Sequence, residues 1–223
     1  MSEVNQGTNH LKSDDQIKKS IYIIRHGETD LNKKGIVQGR GINAELNDYG
    51  RSQGEAFHQA YKHIPFDKIY TSTLIRTHQT VEKFIESGIP WVQFEGLDEL
   101  AWGVYEGMQT SSETKMAFRK MMGHWMSGNL DEKFDDGESP LEVKERQLTI
   151  LENLIEHNDD KNILICMHGR AMRLFLCLLT DIPLSEMDRF PHTNTTLYKL
   201  TWNGSDFKIQ DFNNTDHLRY LLS

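Results

Sequence analysis

The order of apolar patterns predicts an α/β fold: a three-layer α/β/α sandwich with a mostly parallel central sheet and a small helical cap insertion. Three observations carry this expectation. Four strand-like runs alternate with helical stretches, the pattern of parallel strands joined by crossover helices. The first and last of these runs, "IYIIR" and "NILICMH", are apolar almost throughout, as strands buried under helices are. A chain of 223 residues with 37% apolar composition is large enough for one well-buried core.

Residues 1–18 are polar and aperiodic and read as a flexible lead-in; residues 19–223 read as one domain with the cap at about 108–136. The first strand is Ile21 to Arg25, followed by a helix over Asp48 to His63. A second strand, Lys68 to Ser72, runs into a helix over Ser72 to Ser87 with Ser72 as its cap, and a third strand spans Trp91 to Leu97. In the cap, a helix from Thr114 to Met126 has Phe118, Met121, Met122 and Trp125 at i, i+3, i+4 and i+7. That apolar face is expected to pack on the body of the protein. Lys115, Arg119 and Lys120 on the same helix read first as a solvated face and second as contacts for another anionic group of a ligand. The helix Ser139 to His157 has the best-marked start, since Ser139, Pro140 and Glu142 make a capping box. The fourth strand is Asn162 to His168, the next helix Arg170 to Thr180, and Asn203-Gly204 between alternating segments marks a C-terminal hairpin.

The formal net charge of −8 argues against a broad nucleic-acid footprint, so an anion must be held by a local pocket. The first residues lack the apolar core of a signal peptide, and "LFLCLL" is too short to span a bilayer, which predicts a soluble, cytoplasmic protein without a membrane partner. The two cysteines, Cys166 and Cys177, fall in apolar runs and suit a reducing compartment, with neither CxxC nor zinc spacing.

Ligands of open α/β sheets collect beyond the carboxyl ends of the strands, and Arg25 and His26 lie there. Gly27 follows, where the lack of a side chain permits a sharp exit and close approach of a ligand. Alone, His26 would read as an ordinary histidine finishing a strand. The fourth strand, however, repeats the pattern with His168 and Gly169. Arg76 falls in the first turns of a helix, where a cation opposes the helix dipole unless an anion is near. Glu99 follows a strand amid apolar neighbours, and Arg170 directly follows a pocket motif, which makes it a candidate for substrate recognition. Arginine forks match phosphate oxygens, and a charge pair 4 Å apart is worth roughly 4 kcal/mol at an effective dielectric of 20. Two arginines can therefore hold a phosphoryl group on this acidic chain and keep His26 neutral, as a nucleophile must be.

In order and spacing, "RHGETDLN", "TSTLIRTHQT", "ELAWGVYEG", "DGES" and "MHGRAMR" resemble the histidine phosphatase superfamily. This phosphoglycerate mutase-like fold includes cofactor-dependent mutases, fructose-2,6-bisphosphatase and many small-metabolite phosphatases. The resemblance runs from about Ile21 to Leu200. It implies His26 as the nucleophile that becomes phosphohistidine, with Arg25, Arg76 and His168 on the phosphoryl oxygens. Glu99 would protonate the leaving group and then draw a proton from water, and Asn32 would also contact the phosphate. Gln38 and Gly39 match the "QG" of a substrate-facing loop, to which Arg40 adds an anion contact, while Gly169 and Arg170 line the pocket beside His168. No metal and no other cofactor is implied, the arginines and histidine supplying the charge stabilisation. A small phosphorylated metabolite is the implied partner, and a homodimer is left open.

Hydrolysis is favoured over transfer by three departures from the mutase pattern. Mutases resemble "ERHYGALQG" after the acid, whereas this chain reads "ELAWGVYEG"; they have asparagine where Arg170 stands; and their long, basic, proline-rich insertion is missing. A mutase-like phosphotransferase and a fructose-2,6-bisphosphatase-like activity are the alternatives, the latter because "TSTLIRTHQT" and "DGES" resemble its motifs.

Overall fold

The computed structural model describes residues 17–156 and 159–221; most of the expected lead-in over residues 1–18, and the end of the helix expected to reach His157, lie outside the described residues. Six strands form one sheet in the order β3-β2-β4-β1-β5-β6. They are β1 Lys19–Arg25, β2 Lys68–Thr71, β3 Trp91–Gln93, β4 Asn162–Met167, β5 Leu197–Trp202 and β6 Phe207–Asn214. The first four are parallel, and β5 and β6 are antiparallel additions. The turn between β5 and β6 is built where Asn203-Gly204 predicts it: the Asn203 side chain accepts from Ser205 and Asp206 N–H, and Gly204 takes a φ of 108°.

Alternation along β1 makes the layers. Ile21 and Ile23 join the cluster that contains Val143, Ile150 and Leu154 of helix α5 (Pro140–Glu156) and Leu174 and Phe175 of α6 (Gly169–Thr180). Tyr22 and Ile24 face the opposite cluster, with Phe57 of α2 (Asp48–Tyr61) and Val81 and Phe84 of α3 (Ile75–Glu86). Both faces of the central strands are therefore covered, as their unbroken apolar runs require. Ser139 and Glu142 exchange the hydrogen bonds of the expected capping box at the start of α5.

Two element predictions need correction. The strand expected to continue to Leu97 ends at Gln93, and Glu95–Leu97 form a 3₁₀ turn because Gly96 is pressed onto α5; a Cβ there would lie 2.4 Å from the Arg146 carbonyl oxygen. Ser72 does not cap α3. Leu74 takes that place without a side-chain bond, and the Ser72 hydroxyl turns inward. A short helix α1 (Asp30–Lys34), capped by Thr29, lies where no element was expected.

The cap carries helix α4 (Ser112–Met126), which starts two residues before the expected Thr114 because Ser111 makes its capping box with Thr114. Trp125 is 1% exposed, and Phe118, Met121 and Met122 pack against the same core cluster. Trp102, Tyr105 and Phe134 complete an aromatic knot around Phe118, with ring centroids 4.8, 5.4 and 5.1 Å away. Lys115, Arg119 and Lys120 are exposed on the solvent side of this helix. No helix among the described residues is long and apolar enough to cross a membrane.

Candidate active site

Strand register decides the centre. β1 and β4 run parallel with Arg25 opposite Met167, and the His26 N–H extends the ladder to the Met167 carbonyl at 3.0 Å. His26 and His168 are the next residues of the two strands, so their ring centroids stand 5.1 Å apart. β2 flanks β4 with Thr71 opposite Cys166, and α3 beyond it brings Arg76 Nε to 3.2 Å from His168 Nδ1.

His26, 3% exposed, is held in one tautomer. Its Nδ1 lies 2.7 Å from the Gly27 carbonyl oxygen, which can only accept; Nδ1 therefore carries the proton and Nε2 a bare lone pair. Burial, then Arg76 and Arg25, drive its pKa well below the ordinary histidine value. Asn194 Nδ2 donates to the His26 carbonyl at 3.0 Å, and Thr195 N–H to that of Arg25 at 3.1 Å. Gly27 is glycine for a reason other than ligand approach: a Cβ would stand 2.6 Å from the Gly50 carbonyl oxygen in the first turn of α2.

His168 takes the opposite tautomer. Its Nδ1 accepts from Arg76, so Nε2–H donates to Ser72 Oγ at 2.7 Å. Thr77 Oγ1 donates to the Leu74 carbonyl at 2.8 Å, which leaves the Ser72 proton directed to Thr77 at 2.9 Å. Burial followed by Arg76 lowers the His168 pKa well below its ordinary value as well.

Arg76, fully buried, donates to the carbonyls of Ile42 at 2.6 Å and Gly39 at 3.4 Å. The Nε of Arg25 is buried without a protein partner. Burial pulls both arginines down to about 10, opposed by the charge of Glu99, and both stay cationic at neutral pH. Glu99, 8% exposed, rests on the N-terminus of α6: Oε1 accepts from Leu100 and Ala171 N–H at 2.9 Å each, and Oε2 from Arg170 N–H at 3.1 Å. Oε1 has both lone pairs occupied, whereas Oε2 keeps one. Arg25, His26, Arg76, Glu99 and His168 thus share one electrostatic neighbourhood at one sheet edge.

The outer residues of the expected set have partners within the protein for part of their polar groups. Asn32 Oδ1 accepts from Thr29 N–H and Asn194 Nδ2, both at 3.2 Å, so this side chain caps α1 and ties it to the His26 loop. Gln38 Nε2 donates to Thr29 Oγ1 at 2.8 Å, leaving its Oε1 buried and unpartnered. Gly39 backs Arg76, and a Cβ there would lie 1.9 Å from Glu106 Oε1 and 2.8 Å from the Leu100 carbonyl. Arg40 is no free anion contact: it bonds Glu95 at 2.8 Å and Asp98 at 3.2 Å. Gly169 is backed by the His192 ring, and the Arg170 guanidinium pairs with Asp188 at 2.8 Å, 6.0 Å from the centroid of the Trp125 ring. Ser72 serves this site in a packing role, Asn194, His192, Asp188 and Arg146 serve it without a motif to mark them, and Glu138 of "DGES" pairs with Arg146. Each sits in a loop or at an offset that carries no periodic signal. Among the described residues no group of three or more His, Cys, Asp or Glu side chains is arranged to hold a metal ion.

Comparison with known proteins bears on this geometry. Residues 21–215 match the histidine phosphatase superfamily, branch 1. A Hydrogenobacter thermophilus protein provisionally named phosphoserine phosphatase 2 is 28% identical over 204 residues, covering 91% of this chain and 99% of its own. A Yersinia pestis protein provisionally named phosphoglycerate mutase GpmB is 28% identical over 206 residues, covering 89% of this chain and 94% of its own. Among solved structures, the Entamoeba histolytica phosphoserine phosphatase in complex with 3-phosphoglyceric acid superposes with a TM-score of 0.77 at 26% identity, over 90% of this chain and 99% of that one.

Proposed function

The chain belongs to branch 1 of the histidine phosphatase superfamily, and on that premise we propose that it is a metal-independent phosphatase, hydrolysing a small phosphorylated metabolite through a phosphohistidine at His26. One observation carries the reading. The unprotonated Nε2 of His26 belongs to a ring 5.1 Å from that of His168, in the field of Arg25 and Arg76.

The phosphoryl group sits between Arg25 and Arg76, beside the His168 ring that Arg76 and Ser72 hold in place, and His26 Nε2 attacks phosphorus as the ester P–O bond breaks. The leaving oxygen takes a proton from Glu99 Oε2, the one carboxyl atom with a lone pair to spare, and departs as the alcohol. Water then attacks the phosphohistidine and returns its proton to Oε2, the P–N bond breaks, and inorganic phosphate leaves. The Arg76 guanidinium is already fixed by the Ile42 and Gly39 carbonyls, so its share of the transition-state charge is met without reorganisation.

Relatives carry both phosphatase and mutase names, and the residues at the points of difference favour hydrolysis: "ELAWGVYEG" after the acid, and Arg170 in place of asparagine. Two buried, free cysteines support a reducing, cytoplasmic setting. Incubation with 3-phosphoglycerate, with and without a bisphosphoglycerate primer, separates the activities. Free phosphate should dominate, and predominant isomerisation would overturn the phosphatase reading. Phosphoserine, sugar phosphates and nucleotides complete the panel that ranks substrates by kcat/KM.

A further inference from the structure

We propose that Glu138 and Arg146 are a positioning pair for the acid, a carboxylate–guanidinium clamp that fixes the main chain on both sides of Glu99 so that its Oε2 meets the leaving oxygen. The inference rests on the reading of Glu99 as the acid. Arg146 stands on α5 with its side chain 14% exposed. A guanidinium has five N–H donors, and all five are in use. Nε and one Nη2 proton fork onto the Glu138 carboxylate at 2.9 and 3.1 Å. The other Nη2 proton goes to the carbonyl of Glu99 itself at 3.1 Å. Nη1 donates to the carbonyls of Glu95 at 3.1 Å and Gly96 at 2.8 Å, the turn that leads into Glu99. No donor is left over for substrate.

Glu138 closes the other side. Its Oε2 accepts from Ala101 N–H at 2.9 Å, and its own N–H donates to the Ala101 carbonyl at 2.8 Å. The chain is thus held before, at and after Glu99 by one ion pair. That pair is anchored by the Ser139–Glu142 capping box next to Glu138 and by the contact of Gly96 with the α5 backbone. An acid acts only within hydrogen-bond reach of the oxygen it protonates, and a misplacement of about 1 Å can cost roughly 100-fold in rate. Lysine cannot replace this arginine, since an ammonium group has no planar fork and too few donors for five acceptors.

The readout is leaving-group dependence of kcat/KM, which reports the steps through departure of the alcohol. An alkoxide needs the proton of Glu99; the nitrophenolate of p-nitrophenyl phosphate does not. Arg146→Lys and Glu138→Gln should lower kcat/KM for an alkyl phosphate such as phosphoserine by roughly 100-fold, with far less loss on p-nitrophenyl phosphate. Glu99→Gln should show the same selectivity, and the double variant Glu99→Gln/Arg146→Lys should be no worse than Glu99→Gln alone. Glu138→Gln keeps the size but turns one of the two acceptor oxygens into an N–H donor, which breaks the fork, so it serves if Arg146→Lys does not fold. Equal losses on both substrates, or losses that add to that of Glu99→Gln, overturn the proposal while leaving Glu99 as the acid. An unselective Glu99→Gln variant overturns the acid assignment and the clamp together.

Discussion

Lowering the pH from 6.5 to 5 should destabilise this protein far more than its surface charge suggests. His26, His168 and His217 are 3%, 0% and 5% exposed, and all three are neutral in the fold. Burial is the leading cause in each case, holding His217 down to about 4 and the other two well below the ordinary histidine value. In the unfolded chain each regains a pKa near 6.5. Below that value the unfolded state binds protons that the folded state refuses, so stability rises with pH in this window and is lost on acidification. Each group contributes a slope approaching 1.4 kcal/mol per pH unit, and three of them amount to about 5 kcal/mol between pH 6.5 and 5. That is comparable to the whole stability of an ordinary domain, roughly 5–15 kcal/mol. Glu106, whose carboxyl is pushed up chiefly by burial, works in the opposite direction near the lower limit, while His192, held down to about 2 chiefly by burial, adds to the loss. Urea unfolding at pH 7.5, 6.5 and 5.0 in buffers free of phosphate measures the effect, and His217→Gln should remove about a third of it. A midpoint that stays constant across this range would refute the picture of buried, neutral imidazoles.

Two substitutions probe the frame of the site. Gly27→Ala forces a Cβ to 2.6 Å from the Gly50 carbonyl oxygen; overpacking of this kind should cost about 1–3 kcal/mol in thermal or urea unfolding, and displacement of His26 should lower turnover on any good substrate. Ser72→Ala removes the acceptor of His168 Nε2–H and strands a buried donor, which should cost about 1–3 kcal/mol of stability; unchanged unfolding would show that the hydrogen-bond relay from Arg76 through His168 to Thr77 is not as drawn.

Much of the frame was legible because its signals are local. The apolar runs of β1 and β4, the capping box at Ser139 and the Asn203-Gly204 turn are each fixed within a few residues, and parallel pairing of two strands that both end in His-Gly brings the two rings together. What sequence could not tell was which polar groups at the site have other partners. Arg40 looks available until Asp98 and Glu95 are folded against it, and Asn32 turns out to spend its amide oxygen on Thr29 and Asn194, which leaves only the Nδ2 donor for an anion. Arg170 is drawn to Asp188, eighteen residues on. Glu138 and Arg146 are eight residues apart, a spacing that would separate them along a continuous helix by about 12 Å. They meet because α5 begins only at Pro140 and the chain before it folds back. The strand expected to reach Leu97 failed for a related reason: Gly96 is committed to α5 rather than to the sheet.

The central claim is covalent, and trapping the intermediate tests it most directly. Quenched during turnover of a radiolabelled phosphoryl substrate, the wild-type protein should carry label on His26, stable in base and lost in acid, while His26→Ala should carry none and turn over nothing. Label on any other residue, or wild-type labelling and turnover in the His26→Ala protein, would contradict it.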